Sequence, residues 1–305
     1  MSPPRRPEGE SRQAQHEGHS MRPLRRPARR PTWRPLALAF GLLAGACVTA
    51  HAETTLERIH RKGVLVESVS ESYPPFSFLN DRNQMDGFDV DVAREIAKRL
   101  GVALKVETPS WEVLSAGAWR GRWDICVCSM TPDKQRALVL DFVAHYYSSP
   151  AVLVTSANNE AVKTPRDLNG KRIGAEQASS YERYLKRELV MDGFGAAAPP
   201  YVFDRIIVAP YGNEDLAFQD LALGAGKRVD AVLSNYVTAK VRFDRAPGKF
   251  KFVGEPLYAE PNWIATDRSD DAAWKAQIVK LVREMKADGT LAALSRKWVG
   301  RDITQ

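Results

Sequence analysis

The run Cys128-Ser129-Met130-Thr131-Pro132-Asp133-Lys134-Gln135-Arg136 sets hydroxyls and an arginine directly after a stretch with strand character. A guanidinium stays charged and offers a planar fork of donors. Beside small hydroxyls and free backbone N–H groups, it makes a receptor for a carboxylate. The same nine residues could also be a surface turn whose arginine pairs with a neighbouring acid. A second candidate is Glu176-Gln177-Ala178-Ser179-Ser180-Tyr181-Glu182, where Ser179 and Glu182 have capping-box spacing. A helix starting at Ser180 would aim its free N–H groups at an anion, or would simply be well capped. A third is Tyr73-Pro74-Pro75-Phe76, whose prolines fix the backbone and hold aromatic rings at a strand end. Tyr73 reads as a pocket wall and Phe76 as a cap on the core.

The elements that must position these groups alternate between strand and helix. Strand character runs over 64–69, and a polar hairpin covers 80–86. The segment 87–101 carries apolar residues at 92/93, 96/97 and 100, acids in its first turn and Gly101 past its end, which specifies an amphipathic helix. A strand at 103–106, a helix from about Glu112 and a strand at 124–128 complete a β-α-β-α-β order, hence a parallel sheet. In such sheets ligands sit beyond the carboxyl ends of the strands, where Tyr73, Trp111 and the 129–136 run all fall. A second unit follows, with strands at 151–155, 170–175 and 228–233 and a helix over 214–223, and the last part of the chain opens with another strand at 262–266. Two closing helices come last, the first from Ala272 with Trp274, Ile278, Leu281, Val282 and Met285 on one face.

The formal charge of the 305-residue chain, +7, argues for a polyanion partner only until it is located. Residues 1–52 hold nine Arg and three Glu, leaving 35 basic and 34 acidic residues in 53–305, so nucleic acid is not an expected partner. The basic head precedes an apolar run at 36–48 and Ala50-His51-Ala52, the pattern of an export signal cut after 52. Met21 is an alternative start. Leu43-Ala44-Gly45-Ala46-Cys47 weakly resembles a lipoprotein box, but Ala44 stands where Leu is usual, so a lipid anchor is not expected. Cys126 and Cys128 share one face of a strand and read as packed small hydrophobes; a disulfide between them would need strained geometry. With only His60 and His145 after the cut and no paired CxxC, neither a metal nor another cofactor is called for.

In order and spacing, these pieces resemble family 3 extracellular solute-binding proteins, the polar amino-acid receptors of ABC importers. The matching residues are Tyr73-Pro74-Pro75-Phe76, Gly87-Phe88-Asp89-Val90-Asp91-Val92-Ala93, Thr131 to Arg136 with Asp141-Phe142, Gly170-Lys171-Arg172-Ile173-Gly174, Arg228-Val229-Asp230-Ala231, Met285-Lys286-Ala287-Asp288-Gly289-Thr290, and Lys297-Trp298. The resemblance implies an α/β, two-lobe periplasmic binding protein fold of type II. Each lobe is a mainly parallel sheet flanked by helices, and two crossover strands join them near 148–152 and 258–263. Lobe 1 would be 53–150 plus 262–305, and lobe 2 would be 151–261. It also implies that Tyr73 stacks on a ligand, Trp111 lines its side, Ser129, Thr131 and Arg136 hold its carboxylate, and Ser180 joins from lobe 2.

One position departs from the family. Where an acid usually pairs with the ligand's α-ammonium stands Asn235, which supplies no charge. Glu176 or Glu71 is then the candidate replacement, or the ligand is a carboxylate without an ammonium. The resemblance implies a monomeric periplasmic receptor for an amino acid or small carboxylate, with an inner-membrane ABC permease as partner and no catalytic residues. Two other functions use the same fold: a cyclohexadienyl (prephenate/arogenate) dehydratase, with Glu176 as its only cleft acid/base candidate, and a ligand sensor for a membrane receptor.

Overall fold

A computed structural model describes residues 53–194 and 198–305. The export signal, Met21 and Cys47 lie outside the described residues. Thr54 opens α1 (Thr55–Lys62) with a capping box to Glu57, and Gly63 closes it in the left-handed region. Then come β1 (Val64–Ser68) and a small antiparallel sheet of β2 (Ser72–Tyr73), β3 (Ser77–Leu79) and β4 (Met85–Asp86). Gly87, at φ 127°, turns the chain into α2 (Phe88–Leu100). A Cβ there would collide with the carbonyl of Phe76, so only glycine lets the proline loop lie against the helix start. Phe88 N–H and Asp89 N–H then donate to the carbonyls of Pro75 and Phe76. β5 (Ala103–Glu107) pairs parallel to β1, and α3 (Trp111–Ser115) leads to β6 (Cys126–Met130).

The middle of the chain builds a second core. β7 (Leu140–Ser156) is followed by β8 (Arg172–Glu176), α4 (Ser180–Leu185), β9 (Ile207–Tyr211), α5 (Glu214–Ala222), β10 (Ala231–Asn235), α6 (Tyr236–Arg245) and β11 (Phe250–Phe252). β12 (Tyr258–Asp267) then returns to the first core, where α7 (Ala272–Ala287) and α8 (Thr290–Val299) complete it. The order β6-β12-β7-β10-β8-β9 makes one continuous sheet, in which β10, β8 and β9 run parallel.

The fold is α/β with two lobes. One core gathers Ile59, Leu65, Phe88, Ile96, Trp274 and Met285; another gathers Leu153, Ile173, Tyr184, Leu185 and Leu233. Each such side chain contributes roughly 1.5–3 kcal/mol on burial. β7 and β12, paired antiparallel, pass through both: Tyr147 and Ile264 pack in the first, Ala151 in the second and Tyr258 against it.

Several elements differ from expectation. The strand expected at 124–128 is Cys126–Met130 and carries Ser129 within it. The strand expected at 151–155 is part of a 17-residue strand, hidden in the sequence because Pro150 and mixed aromatic and small residues blur its alternation. β9, α6 and β11 had no clear periodic signal. In α6 the β-branched residues Val237, Thr238 and Val241 are weak helix formers, and packing decides. The cysteines are buried, as small hydrophobes would be, but they are also joined as a disulfide, with Cα atoms 5.3 Å apart. That spacing lies in the ordinary range for a disulfide and corrects the reading of two free thiols.

Candidate functional site

At the end of β6 the backbone of Ser129 turns left-handed, at φ 54°. This conformation is costly for a residue with a Cβ and is held by its surroundings. Ser129 N–H donates to the Tyr146 hydroxyl at 2.8 Å. The Ser129 hydroxyl donates to Asp89 at 2.6 Å and accepts from Tyr147 at 2.7 Å. Burial pushes Asp89 up to about 7, against the pull of its Ser129 and Tyr146 bonds. Ser129 is therefore held in place by its own lobe, and its hydroxyl proton points at Asp89.

Arg136 is 1% exposed and lies 5.3 Å from the Trp111 ring centroid. Its Nη1 donates to the Thr131 carbonyl at 2.6 Å, and its Nη2 to the Ala178 carbonyl at 2.7 Å. Asp133 stands 3.5 Å from Nε and accepts the N–H groups of Gln135 and Arg136, so the turn is organised around its carboxylate. Burial lowers the guanidinium to about 10, which leaves it charged at neutral pH.

Across the cleft, β8 ends at Glu176, and Ala178, at φ 60°, leads into α4. Ser179 accepts from Glu182 N–H, so the helix begins where the capping pattern placed it, but it lasts six residues. Its entrance is not an open anion site, because Ser180 donates its hydroxyl to Glu260 and Tyr181 donates to the same carboxylate at 2.6 Å. The carboxyl group there is the protein's own. Glu260, on β12, is 2% exposed; burial raises it, while the hydroxyls of Ser180, Tyr181 and Thr131 and the charge of Arg136 act the other way.

The half-open space between these groups is about 30 Å³, room for a water or two. It is lined by six of the eight expected residues, Tyr73, Trp111, Ser129, Thr131, Glu176 and Ser180. Arg136 lies behind them, its fork turned to backbone carbonyls. Asn235 is not in the lining: its Oδ1 accepts from Ser149 at 2.8 Å and from Val237 N–H at 2.8 Å, which makes it the N-cap of α6. Its expected place facing Arg136 is therefore not in this lining: the carboxamide oxygen is committed to the cap, while Nδ2 is buried without a partner among the described residues. Sequence reasoning missed Glu260 and Tyr181. The available signal for Glu260 was an acid inside the run 257–265, which is apolar apart from it and Asn262. Glu176 is pushed up to about 8, first by burial and then by the charge of Glu214.

A family model for bacterial extracellular solute-binding proteins, family 3, matches residues 65–301. The chain belongs to this family. The L-cystine-binding protein TcyJ of Escherichia coli (strain K12) is 29% identical over 270 residues, covering 88% of this chain and 95% of that protein. The L-cystine-binding protein TcyA of Bacillus subtilis (strain 168) is 28% identical, covering 81% and 85%. Among solved structures, an ancestral arginine-binding protein bound to glutamine aligns with a TM-score of 0.67 at 29% identity, covering 78% of this chain and 99% of that one. These relatives are binding proteins, and among the described residues no helix is long and apolar enough to cross a membrane.

In this solute-binding protein the two cores meet through a set of polar contacts around the cleft. Ser72 donates to Asp215, and the Tyr73 and Tyr181 hydroxyls are 3.3 Å apart. Lys134 N–H donates to the Val190 carbonyl at 3.0 Å, and Arg183 bonds Gln135 and stands 3.4 Å from Asp133. With the Arg136 to Ala178 bond, these contacts hold the expected anchor run against the start of α4 and the segment after it.

Proposed function

We propose that this protein captures an amino acid, or a related small carboxylate, between its lobes and delivers it to the permease of an ABC importer. The observation that carries the reading is a buried guanidinium and a buried carboxyl group at one cleft: Arg136 and Glu260. A zwitterionic ligand presents the complementary pair, a carboxylate for the guanidinium and its flanking hydroxyls and an ammonium for Glu260. The charge that Asn235 withholds is supplied by Glu260 from another strand. The relatives named for L-cystine binding support an amino acid as ligand.

A space of about 30 Å³ is too small for any amino acid, so in this reading entry requires the lobes to part. A ligand that bridges both lobes binds the closed arrangement better than the open one, and that difference in affinity drives closure. The lobes of this reading are 53–150 plus 262–305, and 151–261. The export signal supports a periplasmic location, cut after 52, without a lipid anchor at Cys47. Calorimetry of the purified protein against amino acids and organic acids tests the reading. One-to-one binding of at least one is expected; folded protein that binds none removes it.

A further inference from the structure

Behind Ser129 lies a network whose protons can be counted. Asp89 is fully buried and accepts from the Tyr146 hydroxyl at 2.8 Å and from the Ser129 hydroxyl at 2.6 Å. Burial above all holds the phenols of Tyr146 and Tyr147, on β7, protonated well beyond neutral pH. Each phenol has one proton, and each proton is committed: Tyr146 to Asp89, and Tyr147 to the Ser129 oxygen at 2.7 Å. Ser129 lines the cleft and likewise has a single hydroxyl proton, which Asp89 already takes. A ligand carboxylate arriving at Ser129 therefore competes with the Asp89 carboxylate for that proton. If the ligand took it with nothing else changed, a buried carboxylate would be left short of a hydrogen bond beside a second anion, which is costly.

We propose that Asp89 is a positioning residue for ligand capture: it takes up a proton as the ligand's carboxylate arrives, becomes a donor to the Ser129 oxygen, and so frees the Ser129 hydroxyl to donate into the cleft. The proposal rests on the reading that the carboxylate meets Arg136 and its flanking hydroxyls. One proton from solvent is bound per ligand. The Ser129 oxygen then accepts from Tyr147 and Asp89 and donates to the ligand, which uses both its lone pairs and its one proton. The other ionisable groups around Asp89 are already committed. Glu67, on β1, is fully buried and its carboxyl has no hydrogen-bond partner among the described residues; burial, then the charge of Asp89, pushes it far up, so it stays neutral. Arg94, further along α2, pairs with Asp91, which also accepts from Lys297 and Trp298 of α8. Asp89 itself, at about 7, is poised to change its protonation near neutral pH.

Calorimetry of the full protein against the twenty standard amino acids and L-cystine first selects the tightest-binding probe. That probe is then titrated between pH 6 and 9, in buffers of different ionisation enthalpy, into the wild-type protein, Asp89→Asn and Ser129→Ala. Asparagine at 89 accepts from Tyr146 and donates to the Ser129 oxygen at every pH, as the protonated acid does. At pH 8 the wild type is expected to take up roughly half to one proton more than Asp89→Asn, and above about pH 7 its Kd should rise roughly tenfold per pH unit relative to that variant. Glu176 and Glu260 also face the cleft, and the difference between the two proteins removes their contribution. Ser129→Ala keeps Asp89 but breaks the relay, so it should lose the same uptake, which decides the matter if Asp89→Asn does not fold. Proton uptake and pH profiles that match the wild type in either folded variant, or an Asp89→Asn protein that binds more weakly than the wild type at pH 9, would overturn the relay and leave amino-acid binding intact. Folded protein that binds no probe at any pH overturns both.

Discussion

Replacing Glu260 by Gln tests the charge pairing at its least expected member. The side chain is almost fully buried and accepts from Ser180 and from Tyr181, with Arg136 as the nearby cation. Gln keeps the shape and one acceptor oxygen, and Tyr181 retains the Tyr73 hydroxyl 3.3 Å away as an alternative partner. What Gln removes is the negative charge. A hydrogen bond to a charged group contributes roughly 1.5–3 kcal/mol, and a neutral one about 1. The expected loss for an α-amino acid is therefore on the order of 1.4 kcal/mol, about tenfold in Kd. The matching acid without its amino group loses nothing, because it has no ammonium to pair, and gains where the carboxylate no longer meets a like charge. Titrating both ligands into both proteins completes a double-mutant cycle in which only the ammonium–carboxylate coupling survives. An equal loss for the two ligands, or no loss for either, would show that Glu260 does not read the ammonium.

Other consequences follow from the same geometry. Asp89 and Glu176, ordinarily near 3.8 and 4.5, sit at about 7 and about 8, so the folded chain holds protons that the unfolded chain has already released. Their stabilising contribution is full below about pH 4 and is lost as pH rises toward 8. The melting temperature should fall over that window, with a shallower slope in Glu176→Gln; parallel curves would refute the assignment. The Cys126–Cys128 bridge closes a very short loop, so chain entropy gives it only about 1–2 kcal/mol. Reduction should lower the melting point by roughly 2–8 °C, and loss of cooperative unfolding would contradict that figure. Asn235→Ala removes a helix cap and should cost about 1–2 kcal/mol in thermal or urea denaturation. Ligand Kd should stay within roughly threefold, and a large affinity loss at unchanged stability would return Asn235 to the cleft.

Much of the frame was legible because periodicity and punctuation are local. The α2 pattern ended by Gly101, the apolar face from Trp274 to Met285 and the Ser179 cap all stand where the residue types put them. The acids at the start of α2 show where that reading stops. Asp89 and Asp91 look like first-turn dipole partners, yet Asp89 holds Ser129 and Tyr146, while Asp91 accepts from Lys297 at 2.6 Å and Trp298 at 2.7 Å. Apart from Arg94, which pairs with Asp91 within the same helix, these partners lie 40 to 207 positions away in the chain, and no local pattern encodes them. The acceptors of Arg136 were hidden for another reason: they are backbone carbonyls of Thr131 and Ala178, which side-chain identity does not reveal.

Glu260 joins these two causes into one argument about charge. An isolated acid in a strand has no period, and its importance depends on β12 running alongside β7 until residue 260 reaches the start of α4. What the cleft requires is a negative group of low exposure near Arg136, and electrostatics is indifferent to which strand delivers it. Asn235 can therefore serve purely as a cap, because the charge has a different source. The dependence of affinity on the ligand's ammonium should then follow substitutions at Glu260 and ignore those at Asn235.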